Sequence, residues 1–337
     1  MTQPQQHEPT RWTRERLLAI SSSYQKACVL TAAADLDLFA QIGSDAVTAE
    51  SLAESAHLDA RAVAVILDAL TAIGLLERTG CEYRNHPDVA ASLTHDGPGG
   101  VRAIVRHHGS CMRRWAQLAH VARTGHCAER VPSVRGPEAD HESFILAMDN
   151  VNAPIAPMVL DDLEPLAGTC LLDVGGGSGT WMKAFLERHP QATGMIFDLP
   201  EVIPMAQTRM DNTGLSERVR CVAGNYLTDP IPSGSDLALL SAVIHQNSRA
   251  QIRTLFANVA GALNPGGRIL IRDVIMKPDR IEPEYGALFA VNMLVSTAGG
   301  GTYTFDEISD DLTEAGFKGI EVAREDTNMN SVVSAHI

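Results

Sequence analysis

Cys170-Leu171-Leu172-Asp173-Val174-Gly175-Gly176-Gly177-Ser178-Gly179 is the stretch on which the fold turns, and residues 180–188 follow it with helical spacing. A short apolar run (Cys170 to Val174) ends in a glycine cluster, so the order predicts strand, tight turn, helix. Glycine lets the backbone turn sharply and approach a ligand with no Cβ in the way. The helix N-terminus behind it presents free N–H groups to something polar or anionic. About twenty residues beyond the turn, a second apolar run (Met195 to Phe197) ends in Asp198, where an acidic side chain accepts hydrogen bonds from both hydroxyls of a ribose. The pattern predicts a nucleoside-bearing cofactor. It is not the dinucleotide fingerprint, which needs glycine at the first, third and sixth positions. Counting from Gly175, the sixth is Thr180, and the last glycine comes one place early at Gly179. A tight turn that binds nothing is the plain alternative, and the downstream pieces count against it. Asp173 reads equally as an ordering residue of the site or as a turn cap with no ligand contact.

Downstream of Leu166, strand-like runs alternate with helical ones, the signature of a parallel sheet. Strands are predicted at 170–174, 195–197, 219–223, 237–242 and 268–273, with antiparallel edge strands at 319–323 and 331–337. Upstream, residues 1–12 are Gln/Pro/Thr-rich and predicted to be a disordered tail. Residues 13–45 carry apolar residues at helical spacing, and a short helix is predicted at 47–53. A second helix begins at Asp59, a good N-cap, and runs to about Ile73. Thr79-Gly80 then turns between two strand-like arms, a hairpin wing. Helix, turn, helix, wing is a winged-helix pattern. The helix after Asp59 is mostly apolar, with Arg61 against Asp59 and Asp68, whereas a DNA-reading helix needs basic and amide side chains. Residues 88–165 read as helical, with breaks at 97–100 and 131–137. The organisation expected is a tail (1–12), a winged-helix domain (13–105), a helical linker with pocket helices (106–165) and a cofactor-binding catalytic domain (166–337).

The 337 residues suffice for two domains and a large core. A net charge of −14, from 41 acidic and 27 basic side chains, repels phosphate backbones and anionic lipid, which argues against nucleic-acid and membrane partners. No apolar run reaches the ~18 residues of a membrane span, and the first twenty residues lack the apolar core of a signal peptide. The six scattered cysteines form no CxxC pair, so a cytoplasmic chain with buried thiols is expected. His107-His108-Gly109-Ser110-Cys111 invites a metal reading, but adjacent His residues point apart on a helix and no second cluster supports them, so no metal is expected there.

The glycine stretch, then Phe197-Asp198-Leu199-Pro200-Glu201-Val202, Gly224-Asn225-Tyr226, Asn264-Pro265-Gly266-Gly267-Arg268, and Met293-Leu294 followed by Gly299-Gly300 and Thr304, resemble in order and spacing the S-adenosylmethionine (SAM)-dependent small-molecule O-methyltransferases of plants and bacteria. The resemblance spans residues 20–325. It implies a class I methyltransferase: an α/β, Rossmann-like doubly wound sheet behind an N-terminal, mostly helical winged-helix domain that makes a homodimer. An apolar N-terminal helix layer suits such an interface. SAM is then expected at Asp173, Gly175, Gly177, Gly179, Asp198, Leu199, Asn225 and Tyr226. Asp198 would take the ribose hydroxyls. Asn225 stands where the family usually has Asp beside the adenine amino group, and its carbonyl still accepts from that N–H.

Methyl transfer is an in-line displacement on carbon with a neutral thioether leaving, so the protein must place the acceptor about 3–3.5 Å from the methyl and make it nucleophilic. A phenol needs a base, and His has the pKa for that work near neutral pH. His245 follows the strand predicted at 237–242, at the carboxyl end where open α/β sheets bind ligands, and aligns with the family's catalytic His. A structural or helix-capping His is the alternative. The family's His-Asp pair reads His245-Gln246 here, Asp273 stands where the plant enzymes commonly have Glu, and the second common Glu falls on Thr302. Carboxylates that would orient or charge-stabilise His245 are thus missing or changed, and acceptors that enolise or are already acidic would need less help. His245 and Asp273 are the expected catalytic residues. Met148, Asp149, Asn152, Phe289, Asn292 and Met293 fall where the family contacts substrate, with ordinary packing as the alternative for each, and Trp115 reads as core or pocket wall. Three readings follow: O-methylation of a hydroxylated aromatic or polyketide-like metabolite, C-methylation of a 2-oxo acid with or without a metal, and a catalytically idle binding protein. The intact glycine turn and Asp198 count against the third.

Overall fold

Ala- and Leu-rich helical spacing folds the start of the chain into α1 (Arg14–Ser22), α2 (Tyr24–Asp35) and α3 (Leu38–Ile42). The computed structural model describes residues 11–97, 99–166 and 168–337, so most of the tail expected to be disordered lies outside the described residues. These divide into two units, one running to Gly109 with Ser133–Pro137, the other comprising Ser110–Pro132 and Glu138–Ile337.

The first unit continues with β1 (Val47–Thr48), α4 (Ala49–Ala56), α5 (Ala60–Ala72), β2 (Leu76–Thr79), β3 (Glu82–Asn85), α6 (Pro87–Leu93) and the first turns of α7 (Arg102–Trp115). Asp59 caps α5 by accepting from the Ala62 N–H at 2.8 Å. β2 and β3 form the hairpin around Gly80. β1, too short to read as a strand from sequence, adds to β3 and completes the order β1-β3-β2. Leu38, Phe39, Leu67, Leu70 and Tyr83 make the core. Asn85 enters it because its amide donates to the Phe39 and Gly43 carbonyls at 2.8 and 2.9 Å. α1 buries none of its residues, and Trp12, Leu17, Leu18, Ile20 and Tyr24 are all exposed.

The second unit holds α8 (Leu118–Thr124), α9 (Pro137–Asn152), α10 (Ala156–Asp162), β4 (Cys170–Val174), α11 (Thr180–Arg188), β5 (Thr193–Asp198), α12 (Ile203–Asn212), β6 (Val219–Ala223), β7 (Ser235–Ser241), α13 (Arg249–Ala262), β8 (Leu263–Asp273), β9 (Ile275–Met276), α14 (Glu284–Ser296), β10 (Tyr303–Thr304), α15 (Phe305–Glu314), β11 (Lys318–Arg324) and β12 (Ser331–His336). Seven strands form one sheet in the order β11-β12-β8-β7-β4-β5-β6. β4 to β8 run parallel, and β12 is antiparallel to both neighbours. Two apolar layers cover the faces, one from α13 and α15 with Leu255, Phe256 and Leu312, the other from α10, α11 and α12 with Leu160, Phe185 and Met210. The strand order reverses beside β4, which opens a crevice at the carboxyl ends of β4 and β7.

Three expectations are corrected. β12 is not an edge strand: the short connection from β11 returns it between β11 and β8, where Ser331 to Ala335 are buried. β7 stops at Ser241 rather than at residue 242, because Ala242 takes φ +60° and leaves the extended region. None of the six cysteines is fully buried, and Cys28, Cys81 and Cys127 are exposed. Cys81 illustrates why, since it sits in the hairpin turn between β2 and β3. No single helix among the described residues is long and apolar enough to cross a membrane.

Candidate active site

β4 delivers the chain to the crevice, and the Gly175 N–H closes onto the Phe197 carbonyl of β5 at 2.8 Å. A Cβ at Gly175 would press on Val243, 2.9 Å away. At Gly179, with φ +79°, it would meet Ile196 and Met210 at 2.8 and 2.9 Å. At Gly177, with φ +55°, it would meet nothing within 4 Å. Two of the glycines therefore serve close packing inside the protein, and Gly177 alone faces open space. Asp198, at the end of β5, accepts from the Gly177 N–H through Oδ2 and from the Leu199 N–H through Oδ1, both at 2.7 Å. Burial pushes its carboxyl upward against those two N–H groups. Beneath the turn, Asp173 is 1 % exposed and neither carboxyl oxygen meets a hydrogen-bond partner. Burial and then the Asp198 charge push it up to about 7, while the Met182 N–H, outside hydrogen-bonding geometry, pulls the other way. Asn225 spends its side-chain oxygen on the Leu227 N–H at 3.0 Å. The Tyr226 hydroxyl accepts from the Asn247 amide at 3.1 Å, and burial pushes that phenol up. An open cradle at Gly177, a carboxylate at a strand end and an orphaned buried carboxyl fit a ligand bearing both hydroxyls and positive charge.

His245 lies on a tight turn, Ile244–Gln246, three residues past the end of β7. It is buried, and its Nδ1 lies 2.9 and 3.0 Å from the two oxygens of Asp273, at the end of neighbouring β8. An ionised carboxylate only accepts, so Nδ1 carries the proton and Nε2 is left as the basic nitrogen. Asp273 is itself held by the Val274 N–H at 2.8 Å. The altered neighbours found in the sequence thus leave His245 with an orienting carboxylate. Gln246 instead bonds the Ala242 carbonyl at 3.1 Å, and Thr302 is buried with its carbonyl turned to Arg280. The Gly301 N–H holds the His245 carbonyl at 2.9 Å, and a Cβ on Gly300 would collide with that carbonyl.

α14 brings Phe289 edge-on to His245, ring centroids 4.9 Å apart, and stacks Tyr285 on Phe289. Asn292, one turn on, accepts from the Trp115 indole at 2.9 Å, and Met293 is buried. α9 carries Met148, Asp149 and Asn152. The Asn152 amide donates to the Met148 carbonyl at 2.7 Å and leaves a buried oxygen with no partner. Asp149 is turned to the glycine turn, where it accepts from the Thr180 hydroxyl at 2.7 Å and from Arg209 at 2.5 Å. Ser178, Thr180 and Arg209 were not singled out from the sequence. Thr180 carried a signal, as the residue standing at the sixth fingerprint position, whereas Arg209 is one arginine on a helix and carried none. Arg272 was also missed. It is buried, stacked at 4.7 Å on Trp181 and bonded to Ser241 and Asn330, and burial lowers it to about 10. Among the described residues, no group of three or more His, Cys, Asp or Glu side chains is arranged to hold a metal.

Residues 134–318 match the family described as the O-methyltransferase domain, more than half of the chain. The tetracenomycin polyketide synthesis 8-O-methyltransferase of Streptomyces glaucescens is 32% identical over 89% of this chain and 90% of its own. The chain belongs to the O-methyltransferase family. As a member it is a SAM-dependent methyltransferase with the Rossmann-like fold of that class. This O-methyltransferase is also 29% identical to the 3-hydroxy-5-methyl-1-naphthoate 3-O-methyltransferase of Streptomyces sahachiroi, over 91% of this chain and 90% of that one. In fold it is similar to human N-acetylserotonin methyltransferase in complex with SAM, with a TM-score of 0.80 and 24% identity over 98% of this chain and 99% of that one.

Proposed function

We propose that this O-methyltransferase methylates a hydroxyl of an aromatic, polyketide-like secondary metabolite, with His245 as general base and Asp273 as its positioning residue. The observation that carries the reading is the His245 Nδ1 held against both Asp273 oxygens, at the carboxyl ends of adjacent strands. Relatives named for polyketide and naphthoate hydroxyl methylation support the acceptor class.

Gly177, Asp198, Leu199, Asn225 and Tyr226 would hold SAM, with Asp198 on the ribose hydroxyls and the Asn225–Tyr226 segment on the adenine side, while Gly175 and Gly179 would shape the turn by packing against the protein and Asp173 lies beneath it. SAM, when bound, supplies an electrophilic methyl on a sulfonium. The chain's own part is to line up the acceptor oxygen and remove its proton. His245 Nε2 takes that proton as the oxygen becomes nucleophilic, and the resulting imidazolium faces the Asp273 carboxylate, which stabilises it. The Phe289 ring beside His245 excludes water, which strengthens that pairing. Met148, Asn152, Phe289, Asn292 and Met293 form the acceptor side. The enzyme works as a cytoplasmic homodimer joined through the first unit, a reading supported by the exposed apolar residues of α1.

A labelled-methyl screen against phenols, polyketide-like hydroxyaromatics and 2-oxo acids tests this. Label on a phenolic oxygen is expected, with a kcat loss of about 100-fold or more in His245→Ala. Label on carbon, or unchanged turnover in His245→Ala, would overturn the assignment.

A further inference from the structure

We propose that Asp149 and Arg209 form a latch that sets the glycine turn and ties it to α9, a positioning pair for methyl transfer rather than an acceptor contact. The inference rests on the turn being the SAM site. Four side chains, from three helices and the turn itself, close around Gly179. Oδ1 of Asp149, on α9, receives the Thr180 hydroxyl at 2.7 Å and Nη1 of Arg209, on α12, at 2.5 Å. The same Nη1 reaches the Ser178 hydroxyl at 3.1 Å, and the Ser178 and Thr180 hydroxyls are 3.2 Å apart. Ser178 and Thr180 flank Gly179 on either side, and Thr180 is the first residue of α11.

An ion pair open to water on all sides flexes and contributes little. Here the Arg209 and Asp149 side chains are only 23% and 26% exposed, and hydroxyl bonds fix the carboxylate as well as the guanidinium. The latch therefore orders a turn whose backbone must approach the cofactor closely. It also fixes α9 relative to that turn, and α9 carries Met148 and Asn152, bonded to each other one turn apart. Because methyl transfer needs acceptor and methyl within about 3–3.5 Å, one ion pair setting both sides couples cofactor binding to acceptor binding, and such coupling is reciprocal.

The test is calorimetric titration of SAM into the full-length wild type, Asp149→Ala, Asp149→Asn, Arg209→Ala, Arg209→Lys and the Asp149→Ala/Arg209→Ala double variant. Circular dichroism confirms folding at the temperature used, and melting temperatures are read alongside. Asp149→Ala and Arg209→Ala are expected to weaken SAM binding about five- to twentyfold. The double variant is expected to lose less than the sum of the two single variants, because the Asp149–Arg209 contact is removed by each of them. Asp149→Asn, which keeps the Thr180 bond, and Arg209→Lys, which keeps the charge, are expected to lose less. Folded single variants with wild-type SAM affinity overturn the latch, whatever happens to their melting temperatures, and so do additive losses in the double variant. A wild type that binds SAM but methylates no hydroxyl removes the proposed acceptor chemistry and leaves the latch standing.

Discussion

His245 and Asp198 could be singled out as candidates from the chain alone, because each follows or closes a strand-like run and stands beside family-like neighbours. Asp173 was equally visible, but its state was not. Its folded pKa is raised to about 7 from 3.8. Below 3.8 the carboxyl is protonated folded and unfolded, and it contributes nothing. Between 3.8 and 7 the unfolded chain releases the proton and the folded chain keeps it, so stability falls as pH rises. Above 7 the penalty is complete, on the order of 4 kcal/mol. Asp173→Asn stays neutral throughout. Its stability relative to wild type is expected to rise by about 3 kcal/mol between pH 5 and pH 8, read from urea unfolding at each pH. A difference that is constant with pH would show that Asp173 ionises normally. Asp149 was visible only as a member of an acceptor-side segment. Its partners lie 31 and 60 residues away, and nothing local to α9 announces them.

At the scale of elements, the strand, turn and helix of residues 170–188 emerged where the apolar run, the glycines and the helical spacing placed them, because hydrophobic periodicity and glycine are local signals. The division of labour among the glycines was not local. Gly179→Ala forces a Cβ onto Ile196 and Met210 at a left-handed position, and is expected to destabilise the fold by about 2 kcal/mol or more. Gly177→Ala meets open space and carries only the backbone strain, about 1 kcal/mol. Its main effect is expected on SAM, with affinity falling at least tenfold as the methyl fills the cradle. Thermal melts and SAM titrations of the two variants separate the roles, and a Gly177→Ala protein with full SAM affinity would move the cofactor away from this turn. The helix cap at Asp59 and the wing around Gly80 were likewise local and legible. β1 was not, since two residues carry no periodicity.

For the whole molecule, the alternation of strands and helices was enough for a parallel sheet, and the family resemblance for its doubly wound form, but neither gave the place of its last strand. β12 is antiparallel and interior because its partners, β8 and β11, come from different parts of the chain. The apolar surface of α1 belongs to this scale as well. A helix with no buried residue gains nothing within its own chain from Leu17 and Leu18. Light scattering is expected to give twice the 36.2 kDa mass of one chain. Leu17→Glu/Leu18→Glu is expected to halve it without unfolding the first unit, whose core lies elsewhere. A wild type that runs as a single chain would remove the dimer.

Contiguous residues carried the reading proposed for the cofactor side of this O-methyltransferase: the glycine turn, the acidic residue closing the next strand, and the parallel sheet around them, all written in short-range spacing and backbone preference. Only the tertiary structure decided which side chains meet. The His245–Asp273 pair joins residues 28 apart, and the bonds of Asp149 to Thr180 and Arg209 join residues 31 and 60 apart. Which polar groups face one another across such separations depends on strand order and helix packing, and these are set by burial of the whole core rather than by any one segment.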